Sequence, residues 1–224
     1  MITSDNDDHA SYVSTTHVTD PLAFIRANNM SLELNVYVDR IDDQIIPKWI
    51  ERMNEFDMEC KIHPDFSFEN HSGFLPFKIK LKNPKNKDLE GRELISGFEF
   101  YKDEFNLHTE IKKLQPKKTF LQKLLNKTTE KMDFVNPEID SKLEKCNWVL
   151  TFNWGSHNSL ELRMSSLSSA IISELTNGVC CYSANDIWYD NKTIVEEAFK
   201  ELVSYENSLS KSEWKVHKFE GWSD

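Results

Sequence analysis

The chain has 224 residues, 39% of them hydrophobic, and a formal net charge of -10. That length can bury a sizeable core without disulfide or metal staples, and only 6 Gly and 7 Pro argue against a low-complexity chain or a many-turned β-sandwich. The acidic balance disfavours nucleic acid and anionic lipid as partners and favours a basic one.

The opening residues, MITSDNDDHASYVSTTHVTD, lack the basic and apolar regions of a secretory leader. Residues 1–30 are expected to be a disordered or appended segment, with Pro21 opening one short helix. Residues 31–224 are expected to form a single domain. No apolar run has the length to span a bilayer. The four cysteines, Cys60, Cys146, Cys180 and Cys181, show neither C-x-x-C nor zinc-ligand spacing. These features predict a reduced, cytoplasmic protein.

Leu32, Leu34, Val36 and Val38 recur at every second position and predict a strand. Ile46, Trp49, Ile50, Met53 and Phe56 follow at helical spacing, with Asp42 or Asp43 as cap and Pro47 in the first turn. Strands are predicted over 58–62 and over FLPFKIKLK, where Phe77, Ile79 and Leu81 alternate with lysines. Another is predicted over ELISGFEFYKDEF, with Ile95, Phe98 and Phe100 as its apolar positions. A lysine-rich helical stretch, 109–131, is divided by Pro116, and Pro137 opens a short helix over 138–147. WVLTFNW predicts a central strand, because it is nearly continuous in apolar residues. The longest helix begins at Asn158 or Ser159 and buries Leu160, Met164, Leu167, Ile171 and Leu175. Asn177-Gly178 ends it, with Gly178 as the left-handed cap. A short strand over 179–182, a helix over 193–209 and a closing strand in EWKVHKFEGW complete the chain. Strands and helices intersperse without a βαβ repeat. The expected fold is α+β, a mainly antiparallel sheet packed by amphipathic helices.

Charge is uneven: residues 78–131 hold 14 Lys and Arg against 8 Asp and Glu. Lys123, Lys127 and Lys131 form a helical stripe that could contact phosphates or lipid headgroups, and the basic segment from Lys112 to Lys131 could dock an acidic partner in a structural or assembly role. The usual nucleophile and phosphate motifs (G-x-S-x-G, G-x-G-x-x-G, the P-loop) are absent, as is H-E-x-x-H. HPDFSFENH gathers His63, Asp65, Glu69 and His71, donors of the kind a metal-dependent hydrolase would use. Their spacing matches no familiar site, and a charged loop is the simpler expectation. Cys180 and Cys181 follow a helix C-terminus, whose dipole disfavours a thiolate, and they are expected to be scaffold. No cofactor and no catalytic residue is assigned. In DIWYD, Asp186, Trp188, Tyr189 and Asp190 are candidate partner-binding residues, because aromatic rings beside carboxylates make contact hot spots. The simpler alternative is a strand end whose rings pack under the last helix.

The run LSSAIISELTNGVCCYSANDIWYDNKT resembles a pattern in bacterial immunity proteins of polymorphic and type VI secretion toxin systems. There a helix rich in small and apolar residues ends in a Leu-Thr-x-Gly turn, followed by a strand and an Asp-x-x-aromatic segment. The matching positions are Glu174, Leu175, Thr176, Gly178 and Asp186 to Tyr189, in the last third of the chain. The resemblance implies stoichiometric inhibition of a cognate toxin by direct binding, without catalysis.

Overall fold

The computed structural model describes residues 31–114, 133–155, 159–189 and 191–214. Seven strands form one sheet in the order β2-β3-β4-β5-β1-β6-β7, with every pair antiparallel. They are β1 (Ser31–Val38), β2 (Met58–Ile62), β3 (Gly73–Leu81), β4 (Leu94–Glu104), β5 (Trp148–Gly155), β6 (Val179–Tyr182) and β7 (Ile187–Tyr189). Among the described residues, five α-helices accompany them: α1 (Ile46–Met53), α2 (Leu107–Leu114), α3 (Pro137–Leu143), α4 (Ser159–Thr176) and α5 (Ile194–Ser208). The fold is α+β. Among the described residues, no helix is long and apolar enough to cross a membrane.

Strand side chains alternate between faces, and that alternation divides the core in two. On the first face Leu34, Val36, Phe77, Phe98, Phe100, Leu150 and Phe152 join a large cluster under α1, α4 and α5. Trp49 of α1 is fully buried there, its ring meeting Phe66, Phe68 and Phe77. On the second face Tyr37, Val149, Val179 and Cys181 join Phe105, Leu107 and Leu143 in a smaller cluster under α2 and α3.

Local chemistry sets most of the element ends. Asp42 accepts from the Gln44 N–H and caps the 3-10 turn that leads into α1, with Pro47 in the first turn of the helix. Asn136 accepts from the N–H groups of Glu138 and Ile139 and starts α3. That helix ends at Leu143, short of the predicted 147, because Cys146 must turn inward and Asn147 donates its N–H to Val38. Along β4, Ile95 points away from Phe98 and Phe100. Strict alternation puts Ser96, fully buried, on their side instead.

Gly178 is not the left-handed cap. Asn177 takes that role with φ of 52°, a conformation asparagine tolerates better than most residues. Gly178 is needed for another reason: a Cβ there would lie 2.7 Å from the Tyr37 carbonyl oxygen. The glycine lets the end of α4 press against β1.

The buried stripe of α4 contains a residue that apolar periodicity passes over. Arg163, 4% exposed, donates from Nε and Nη2 to both carboxylate oxygens of Glu206 on α5, at 2.8 and 2.9 Å. Its Nη1 donates to the Phe56 carbonyl at 2.8 Å. This bidentate pair ties the two long helices to the chain beyond α1. Arg52 makes a looser tie at the surface, pairing with Glu55, Glu174 and Glu196. The predicted helix over 115–131, the closing strand over 215–222 and the N-terminal segment 1–30 lie outside the described residues. Trp214, just before the closing segment, is buried in the large cluster.

Candidate functional site

Residues 186–189 do not present one surface. Asp186 is exposed, with φ of 53°, and its Oδ1 accepts from Trp188 Nε1 at 2.8 Å. Trp188 lies on the second face, stacked on Tyr37 with ring centroids 5.8 Å apart and meeting Phe134 edge-on at 6.3 Å. It lines a cavity of about 190 Å³ with Asn136, Ile139 and Lys142. Ile187 and Tyr189 turn to the first face and pack against the large cluster. Tyr189 borders a separate cavity of about 70 Å³ between α4, α5 and the sheet, and burial raises its phenol pKa. Asp190 lies outside the described residues. Two of the four predicted contact residues, Asp186 and Trp188, therefore share a surface, and Tyr189 is turned from it.

That surface continues across the sheet. Beside Asp186, Ser183 Oγ accepts from Asn35 Nδ2 at 2.7 Å. The same Nδ2 donates to Glu33 Oε1 at 2.7 Å, and Asn35 Oδ1 accepts from Thr151 at 2.8 Å. Strand register sets Asn153 between Glu33 and Glu99, and Thr151 between Asn35 and Tyr101. Tyr101 donates its hydroxyl to Glu99 Oε2 at 3.2 Å. The result is a polar band running from Glu99 through Asn153 and Glu33 to Asp186. The second cluster packs beside it without including these residues. Asn35 is 7% exposed and fully engaged, so the band is built into the sheet. Asn153 Oδ1 is buried and has no hydrogen-bond partner among the described residues.

The thiols sit in scaffold positions. Burial pushes Cys60 up to about 12 and Cys146 up to about 11. Cys181 is also pushed up to about 11, chiefly by burial, with the carboxylates of Glu33 and Asp186 adding to the push. Fully buried Cys180 rises as well. All four are neutral thiols near pH 7, which makes them poor nucleophiles.

His63 and Asp65 meet each other, while Glu69 and His71 are engaged with other groups. His63 Nδ1 lies 3.2 Å from the Asp65 N–H and 4.0 Å from its carboxylate. His71 Nε2 bonds the Gly73 carbonyl at 3.2 Å, with the ring against Phe66 and Phe100, and burial lowers its pKa. Glu69 pairs with Lys102, which also lies over the Trp148 ring. Among the described residues no group of three or more His, Cys, Asp or Glu is placed to hold a metal ion. Lys123, Lys127 and Lys131 lie outside the described residues.

Glu33, Asn35, Glu99 and Asn153 are not singled out by motif or composition. The only signal for them is alternation: each occupies the polar register of a strand whose other register is apolar. That pattern marks a face, and only the pairing of β5 with β4 and with β1 assembles the band. Comparison with known protein families, curated proteins and solved structures finds no match.

Proposed function

We propose that this protein is a non-catalytic binding protein of the immunity type, which neutralises a cognate toxin by direct contact. The observation that supports this reading is the polar band on the second face. It is a preformed row of side chains on three central strands, held by the sheet and by its own hydrogen bonds. Contact groups on strands are positioned more tightly than groups on loops and lose less entropy on binding. In this reading the protein acts in the cytoplasm, where its four free thiols stay reduced. Inhibition consists in covering the toxin's working surface, so no catalytic residue is required.

The test is co-expression. The chain, tagged, is produced in cells that also express the products of its neighbouring genes, singly. The expected result is one gene product that arrests growth alone, is tolerated when this chain is present, and co-purifies with it in a fixed ratio. If no neighbouring product is toxic, or toxicity persists with the chain expressed at equal level, the immunity reading is wrong.

A further inference from the structure

The donors and acceptors of the polar band are unequally matched. Most of its donors are spent internally: Tyr101 on Glu99, Thr151 on Asn35, both Asn35 amide bonds on Glu33 and Ser183, and Trp188 on Asp186. The remaining outward capacity is mainly the carboxylate oxygen of Glu33, Glu99 and Asp186. No lysine or arginine among the described residues pairs with Glu33, Glu99 or Asp186. Most other carboxylates nearby are compensated: Glu59 by Lys82, Glu69 by Lys102, Glu93 by Lys80 and Glu110 by Lys113.

Spacing decides what size of cation fits. Glu99 and Glu33 flank Asn153 from two strands away, so their backbones are about 10 Å apart at the usual strand spacing. Asp186 lies past β6, so the row spans about 14 Å. One metal ion cannot be reached from such positions, because its oxygen ligands must converge to within roughly 2.6 Å of it. Several cationic side chains on a partner surface can be. Toward the β2 edge the same face mixes Lys61, Lys78 and Lys80 with Glu59 and Glu93, which confines the uncompensated carboxylates to β4, β1 and the turn after β6.

We infer that this band is the docking surface for an arginine- or lysine-rich face of a protein partner. The inference rests on the binding-protein reading and adds to it the place and the chemistry. Guanidinium groups suit it best, because their planar forks donate two parallel hydrogen bonds to a carboxylate. The exposed Trp188–Asp186 pair closes one end of the row and offers a ring for cation stacking.

The test uses the full chain, isotope-labelled, titrated at low salt with a synthetic peptide alternating arginine with serine, and in parallel with its citrulline counterpart. The expected result is amide shifts concentrated in β4, β5, β1 and around Asp186, with none from citrulline. Changing Glu33→Gln together with Glu99→Gln is expected to weaken binding at least tenfold, while Glu196→Gln with Glu197→Gln on α5 leaves it unchanged. Thermal melts confirm that both variants fold. The inference is overturned by shifts that map to the helical face, or by equal weakening from the two double variants. It is also overturned if the peptide binds only after Lys123, Lys127 and Lys131 are changed to alanine, which would assign the band to this chain's own lysines. These outcomes are independent of growth protection: a toxin neutralised equally well by the Glu33/Glu99 variant would keep the immunity reading and remove this surface from it.

Discussion

Thr151 and Phe152 are neighbours on β5 and meet opposite environments. Phe152 is fully buried between Phe98 and Phe100 beneath the long helices. Thr151, half-buried, spends its hydroxyl on Asn35 in the polar band. The same contrast separates Phe100 from Glu99 and Leu34 from Asn35. One face of the sheet carries the aromatic core and a buried ion pair, and its substitution should unfold the protein. The other carries a modest apolar cluster and a row of carboxylates, and substitution there should change binding while leaving the fold alone.

The largest expected effect comes from stranding a charge on the first face. Glu206→Ala leaves the Arg163 guanidinium buried without its carboxylate and should cost about 3–5 kcal/mol, measured by urea unfolding. Changing both partners to apolar residues, Arg163→Met with Glu206→Leu, should recover most of that loss. A double variant no better than Glu206→Ala would mean the pair does more than neutralise itself.

Phe152→Ala should cost about 3–5 kcal/mol through lost burial and the cavity left behind. Thr151→Ala next to it should cost about 1 kcal/mol, one hydrogen bond to a side chain that keeps two others. Similar losses at both positions would erase the distinction between the faces. Gly178→Ala lies between these in size, at about 1–3 kcal/mol, since its methyl would run into the Tyr37 backbone rather than into a flexible side chain.

The thiols sharpen the comparison by pH. Each is raised above the ordinary thiol value near 9, so the folded state favours the neutral form. Their contribution to stability is complete below pH 9 and is lost as pH rises through about 11 for Cys146 and Cys181 and about 12 for Cys60. Alkylation mapped by mass spectrometry over that range should label the second-face pair, Cys146 and Cys181, before Cys60 and Cys180. The reverse order would mean that the smaller cluster is the better sealed one.

Periodicity made most of the fold legible. Strands β1 to β6 and the two long helices fall where alternating or helical spacing puts them, because burial of one face imposes the pattern directly on the sequence, whereas the three residues of β7 are too few to show a period. What periodicity could not supply is partnership. Arg163 interrupts an apolar stripe, and nothing local says that Glu206 lies across from it, 43 residues later. Gly178 looks like a helix cap, and only the approach of Tyr37 reveals the close contact that requires glycine. DIWYD was visible as aromatic and acidic, but a three-residue strand sends Trp188 and Tyr189 to opposite faces. The band that continues from Asp186 is assembled from β4, β5 and β1, which lie far apart in the chain.

The most direct measurement pairs stability with function in one variant. Glu33→Gln with Glu99→Gln is compared with the parent chain for its urea midpoint and, in parallel, for protection of cells against the toxic gene product that the immunity proposal predicts. Surface charge changes away from the core should keep stability within about 0.5 kcal/mol, while protection falls by at least tenfold in the toxin dose tolerated. Undiminished protection, or a loss of stability large enough to account for lost protection, would contradict the division of labour between the two faces.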